Sequence, residues 1–443
     1  MAGSHSLLSP TVIAKEALRL LKNNLVMGNL VYRGYESEIP GSPKNAGSLL
    51  VRKPVKFKVT ATRARATSQI TEAYITVSVA TQANVAWNFY MSDLTLTIEE
   101  YSERYIRPAC AALANKVDSD LCALYKDIPN KVHESTGWVD PATFMVLGKA
   151  MQKLDEAGVP QDERVVVLNP AGMWSMANAL SNWNFAEIGK DPTQKGKLGQ
   201  IAGCTVYMDQ NIKSHTVGWW GTGSSTAIAT TNRLRIQSSA TSGAAGGIPT
   251  GNVVGVTQNQ RISVEGMDQS TQIAFLQGDT FTIAGIYAVN PMSGEAQSSL
   301  RRFVVTANAA TQTSGCSGNN TFVYFYPDMI HTGPYKTVDT LPAVLAQITI
   351  DEMPSTILAQ NLAFHKNAFA LVMVPLEKPA SEWSAVETED GISIRVVKQY
   401  NIETDVEAIR LDILYGVKTI YPELACRIAG AGTALGWNGA RDR

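Results

Sequence analysis

The sequence predicts an α+β chain of more than one domain, and three observations predict it. Residues 97–127 read as one long amphipathic helix, and residues 164–180 alternate a short apolar run with a second helix. Between about 215 and 345, turn-rich sequence separates many short strand candidates. At 443 residues the chain exceeds one ordinary core, so two or three domains are expected.

Ser9-Pro10 opens a first helix, with serine as N-cap and proline at the first helical position. Ile13, Ala17, Leu20 and Leu21 share one side, while Lys15, Arg19 and Lys22 lie elsewhere. Such a helix is either an arm that docks on a partner or an element packed on its own domain, and the pattern leaves both open.

Residues 36–92 change character. Val51, Val55, Phe57 and Val59 alternate with Lys56 and Lys58, a strand pattern with one polar face, and Pro54 demotes it to an edge or bulged strand. From Lys44 to Arg65 there are seven cations, Lys44, Arg52, Lys53, Lys56, Lys58, Arg63 and Arg65, and no acidic residue. A projecting two-stranded loop is only marginally stable in water and needs a surface to lie on. The charges are either a solvated face or one half of an intermolecular ion-pair network.

In the long helix, apolar residues fall at Ile98, Tyr101, Tyr105, Ala109, Ala112, Leu113, Val117, Leu121 and Leu124. Steps of three and four make one stripe, expected to face strands at 392–400 and 406–420. Thr97 and Glu100 form a capping box, and the helix would span about 45 Å. Pro108 should kink or split it, because it lacks an N–H and crowds the carbonyl one turn back.

Further along, 140–157 reads as a helix, 164–168 (RVVVL) as a buried strand, and 170–180 as a helix, an α/β layer. Strand candidates follow at 234–237, 253–256, 273–276, 280–286, 303–306 and 321–326, suggesting an inserted barrel or sandwich. The last strong β-segments are 367–374, 392–400 and 406–430.

Composition narrows the function. A net charge of −1 argues against a dedicated nucleic-acid binder, and 17% charged residues is low against the usual ~25%. Cys110 and Cys122 lie roughly 18 Å apart along a helix, too far for a disulfide, and with Cys204, Cys316 and Cys426 make an odd set without C-x-x-C. Free thiols in a reducing cytoplasm are expected. Neither a signal peptide nor an apolar run of eighteen residues is visible, so no membrane association is expected. The histidines His5, His133, His215, His331 and His365 lack metal-ligand spacing. No G-K-[ST] follows the glycine-rich stretches and no G-x-S-x-G elbow occurs. No catalytic residue, metal site or cofactor is expected, and an enzyme is disfavoured.

RYIRPACAALANKVDSDL (104–121), VVVLNPAGMWSMANAL (165–180), FLQGDTFTIAGIYAVNP (275–291), NLAFHKNAFALVMVP (361–375) and LYGVKTIYPELACRI (414–428) together resemble a known family. These stretches are similar to the major capsid (coat) proteins of tailed bacteriophages, of the short-tailed-phage coat type with an inserted β-barrel domain. The shell fold is the one named after phage Hong Kong ninety-seven. The resemblance covers most of the chain, and 215–265 matches least well.

The resemblance implies an N-terminal arm (1–35), an extended loop (36–92), and a peripheral domain with a spine helix (93–163, completed by 391–419). It also implies an axial domain (164–215, completed by 345–390 and 420–443) and an inserted barrel (216–344). The arm, with Lys15, Arg19 and Lys22, would meet scaffolding protein or a neighbouring subunit. The loop cations would lie over an adjacent subunit, and Pro108 would be a candidate spine bend. Self-association into pentamers and hexamers is implied, with scaffolding, portal and decoration proteins as further partners and double-stranded DNA packaged non-specifically. The location implied is the virion, after assembly in the host bacterial cytoplasm, through a scaffolded procapsid that expands. An encapsulin-like compartment shell, against which the large insert counts, and another β-rich phage structural or binding protein are the alternatives.

Overall fold

The computed structural model describes residues 10–35, 47–57, 63, 74–90, 102–134, 141, 143–181, 199–219, 234–237, 241–242, 247–248, 260–266, 273–310, 321–352, 354–379, 383–404 and 406–430. The chain divides into two compact units: Met1–Val51, Ile75–Ala123 and Lys366–Ile420 in the first, Arg52–Tyr74, Leu124–His365 and Tyr421–Arg443 in the second.

The first unit is a five-stranded antiparallel sheet under two helices. Strand Val406–Thr419 is its centre, paired with Ile392–Asn401, Phe369–Met373 and Thr81–Tyr90, while Trp383–Glu389 pairs on the outer side of Ile392–Asn401. Period-two alternation buries Ile394, Val396, Ile409 and Leu411 on one face. The arm helix, Pro10–Asn24, covers the strands Trp383–Glu389 and Ile392–Asn401 with Ile13, Ala14, Ala17, Leu18, Leu20 and Leu21. Each of those leucines contributes about 1.5–3 kcal/mol by leaving water. The helix therefore packs on its own unit.

The long helix differs from a uniform 97–127 rod. Ser102–Ile106 is a π turn, Arg107–Cys122 is α-helical, and Ala123–Asp127 is 3-10. Pro108 is the second residue of the α segment. It has no N–H to give the carbonyl of residue 104, and the widened turn lies immediately ahead of it. The capping box of Thr97 and Glu100 falls outside the described residues. Cys110, Leu113, Ala114, Val117 and Leu121 form the buried stripe, but it does not chiefly face strand 392–401 as expected. The arm helix occupies that strand, so the long helix covers Val406–Thr419, as expected, together with Thr81–Tyr90. Tyr415 donates its hydroxyl to Asp120 at 2.6 Å. The buried Asp118 carboxylate accepts the Val26 and Gly28 N–H groups at 2.8 and 2.9 Å, tying the end of the arm to this helix.

The second unit holds the α/β layer. Its sheet runs Lys131–His133, Ala425–Ala429, Asn361–His365, Arg164–Leu168, Cys204–Met208, Gln200–Ile201. Helices Phe144–Glu156 and Pro170–Ser181 bury Val146, Leu147, Ala150, Leu154, Met173 and Met176 with Val166, Val206, Ala363 and Ile428 of the sheet. The predicted helix at 140–157 thus starts later, at Phe144.

The inserted region is a small, nearly closed, barrel-like sheet. Ile348–Thr349, Thr280–Val289, Ala296–Val305, Thr321–Tyr326, Arg261–Glu265 and Arg235–Ile236 form one antiparallel sheet in that order. Its two edges meet, because Ile348 N–H donates to Leu234 O at 2.9 Å and Ile236 N–H to Ala346 O at 3.0 Å. Inside, Phe281, Phe303 and Phe325 pack with ring centroids 5.3–6.2 Å apart. The expected strand 253–256 lies outside the described residues. Ser214–Thr216 pairs with Ile357–Ala359, so the chain enters and leaves the barrel region through a two-stranded neck.

Replacing Asp118 by Ala should cost about 1–3 kcal/mol in urea unfolding, because two backbone donors lose their acceptor. An unchanged midpoint and slope would remove the arm anchor from this account.

Candidate inter-subunit interface

The basic segment is partly engaged within its own unit. Ser48–Arg52 and Tyr74–Ser78 form a two-stranded sheet, but the alternation read at Val55, Lys56 and Phe57 is not realised as a strand: pairing stops at Arg52, ahead of Pro54, while Lys58 and Val59 lie outside the described residues. Arg52, Lys56 and Arg63 are exposed, whereas Lys53 is half-buried, its ammonium 5.4 Å from the centre of the Tyr421 ring. The Lys56 N–H donates to the Tyr335 hydroxyl at 3.3 Å, leaving the side chain outward. Lys44, Lys58 and Arg65 lie outside the described residues. Around these cations Leu50, Phe57 and Tyr74 are also exposed, Phe57 to 70%. Cations beside uncovered apolar side chains are the composition of a surface that meets another molecule.

The arm cations divide in the same way. Lys22 pairs with Asp390 and Glu389, and Arg19 with Glu16 at 2.6 Å. Those two partners raise Lys22 above its ordinary value. Such exposed pairs are each worth little. Lys15 is exposed. Pro108 is exposed at the start of the α segment. Sequence reasoning also missed Trp383, Tyr400 and Ile402, exposed to 71, 48 and 83% at one end of the first unit's sheet. Trp383 stands opposite Lys398, which stands opposite Ile409, so the helix-covered face runs on past the helices.

A second group of residues, invisible to motif reading, holds the barrel to the α/β sheet. Lys131 and Glu352 are in direct contact with no side-chain exposure, and Asp351 pairs with Arg302 of the barrel. His133 Nε2 lies 3.8 Å from Asp351 and 3.7 Å from Glu352. Burial, reinforced by Lys131 and Arg302, pushes His133 down to about 3. Burial likewise disfavours the Lys131 ammonium, and Arg427 and Arg302 add to that. Arg427 is fully buried, donates from Nη1 to Gly278 O at 2.8 Å, and is pushed down to about 10 by desolvation. Tyr326 of the barrel donates to Glu423 at 2.5 Å. Burial alone would raise the Glu423 carboxyl, but Lys53, the Tyr326 hydroxyl and Arg301 hold it below the ordinary range.

At the neck, His215 Nε2 lies 2.8 Å from Asp279 Oδ1, and its Nδ1 lies 3.0 Å from the Tyr125 hydroxyl. Asp279 Oδ2 accepts the Gly218 and Leu276 N–H groups at 3.1 and 2.8 Å. Gly278 has φ +104°, and a Cβ there would come within 3.2 Å of the His215 ring, so glycine is required. Among the described residues, no group of three or more His, Cys, Asp or Glu side chains could hold a metal ion. No helix among them is long and apolar enough to cross a membrane.

The family described as "P22 coat protein - gene protein 5" matches residues 1–430. The chain belongs to the P22 coat protein family. It is a major capsid protein of the tailed-phage type, a structural subunit of the shell located in the virion. No curated protein matches it. Among solved structures it is similar to one from Mycobacterium phage Che8, at 12% identity over 92% of this chain and 91% of that one, with a TM-score of 0.45. The capsid of the cyanophage P-SCSP1u shows 10% identity over 87% and 84%, TM-score 0.41. The capsid of Ralstonia phage GP4 shows 9% over 88% and 85%, TM-score 0.37. Identities this low transfer no residue roles.

For this coat protein the buried Lys131–Glu352 pair gives a direct test. Glu352→Gln should destabilise the protein by about 3–5 kcal/mol in urea unfolding, since it strands a buried ammonium. Lys131→Met combined with Glu352→Leu should recover most of that loss. Equal losses in both variants would show that the pair's charge is irrelevant.

Proposed function

We propose that the protein assembles, with scaffolding protein, into a procapsid that expands around double-stranded DNA, and that it does so without catalysis. Family membership across residues 1–430 carries this reading. In it, the segment holding Arg52, Lys56 and Phe57 is the extended loop, and it lies on a neighbouring copy. Exposed Arg52 at the end of a marginal two-stranded element, with exposed Lys56 and Phe57 just beyond it, supports that role. Lys53, turned onto Tyr421, steadies the base of the loop instead. Trp383, Tyr400 and Ile402 form a second surface buried between copies. Identical heterologous contacts close into five- and six-membered rings. Portal and decoration proteins join the same shell, and assembly takes place in the host cytoplasm. The near-neutral net charge of −1 suits a container that must release its DNA. Lys15 and the outer side of the arm helix face scaffolding protein or a neighbour, and the helix-type change at Pro108 is where the spine would bend on expansion.

Arg52→Ser with Lys56→Ser should leave monomer unfolding within about 0.5 kcal/mol of the parent, as expected for exposed positions. The yield of closed particles, counted by negative-stain microscopy after expression with scaffolding protein, should fall several-fold. An undiminished yield removes the interface role of the loop, and a parent chain that stays monomeric under all conditions removes the shell reading itself.

A further inference from the structure

The neck crosses between the barrel and the α/β sheet, and its only histidine is fully engaged in one protonation state. Asp279 is acceptor-only, so His215 must donate from Nε2, which leaves Nδ1 to accept the Tyr125 hydroxyl. Every atom of that chain is satisfied while the ring is neutral. Adding a proton at Nδ1 sets two donors against each other, and the Tyr125 hydroxyl proton must leave the line.

The charges around the ring oppose protonation too. Facing it are Tyr125 and Lys126 from the end of the long helix, Asp279 and the Gly278 turn from the barrel, Arg427 from Ala425–Ala429, and Lys131 from Lys131–His133. Only Asp279 is anionic, and its second oxygen already holds two backbone N–H groups. The ring is 4% exposed, so water cannot offset the added charge. Burial lowers His215 from its ordinary value, with Asp279 opposing.

We propose that His215 makes the neck acid-sensitive: a proton on Nδ1 turns the Tyr125 hydroxyl from donor to acceptor, puts a charge into a site closed to water and facing Arg427 and Lys131, and lets Ser214–Thr216 and Ile357–Ala359 part while the barrel and the α/β sheet stay folded. The sign follows from linkage. A histidine lowered in the closed state stabilises closure above the open-state value of about 6.5, and that stabilisation is lost as pH falls below it. Asp328 in the barrel, raised to about 6 by burial, works with the opposite sign, since acid favours its buried form.

Hydrogen exchange of the full chain, followed by mass spectrometry and corrected for the intrinsic pH effect, tests this. From pH 7.5 to 5.5, opening of peptides spanning the two neck strands should rise up to about tenfold, as one proton per opening dictates. Peptides from Thr280–Val289 and Arg164–Leu168 should stay protected. His215→Gln, which cannot take the proton, should remove that tenfold factor. Tyr125→Phe, which frees Nδ1 without touching the histidine, should shrink it even if the first variant folds poorly. A wild-type neck indifferent to pH, or either variant keeping the full wild-type response, overturns the proposal.

Discussion

An inserted barrel depends on how the chain crossing into it is held, and here one buried carboxylate gathers several groups at that crossing. Asp279 binds His215 of the entering strand, the backbone of Gly218 beyond it, and the turn at Leu276 that begins the barrel's own long hairpin. Arg427 of the α/β sheet grips the same turn through Gly278. The returning segment is clamped separately by Lys131 on Glu352 and Arg302 on Asp351. Stranding any one of these buried charges costs more than most surface changes, so the clusters stand or fall as sets.

The same logic sorts the cations of the chain. Lys22 and Arg19 find carboxylates at home, and Lys53 has an aromatic ring and Glu423. Arg52 and Lys56 are exposed, in the same segment as the exposed Leu50 and Phe57. With 17% charged residues, the chain spends several of its charges inside. That leaves the exposed ones on the loop as a distinct surface feature.

Much of the architecture was legible. The strand candidates at 392–400 and 321–326 are strands, the Ser9-Pro10 start and apolar side marked the arm helix, and three-four spacing marked the long helix. What the pattern does not encode is which apolar stripe covers which sheet. The arm helix and the long helix carry similar stripes, so the division of the sheet between them depends on Asp118 and Asp120, polar residues that look like ordinary helix surface. Pro108 announced a break, but its form, a π turn before the proline rather than a sharp kink, depends on how the freed carbonyls are shared. The neck is the least legible part. Residues 125, 215, 279 and 427 are too far apart in the chain for any spacing rule to join them. The loop cations stood out by composition alone, and composition does not tell that Lys53 turns inward.

The central claim we propose is that this shell subunit meets another copy through the exposed Arg52 and Lys56, while Lys22 and Arg19 keep their partners within the chain. A cryo-electron microscopy reconstruction of assembled particles tests it most directly. The account predicts Arg52 and Lys56 within ion-pair distance of a neighbouring subunit's carboxylates, with Lys22 still on Asp390 of its own chain. Particles in which the loop cations face solvent and the subunits join elsewhere would contradict it.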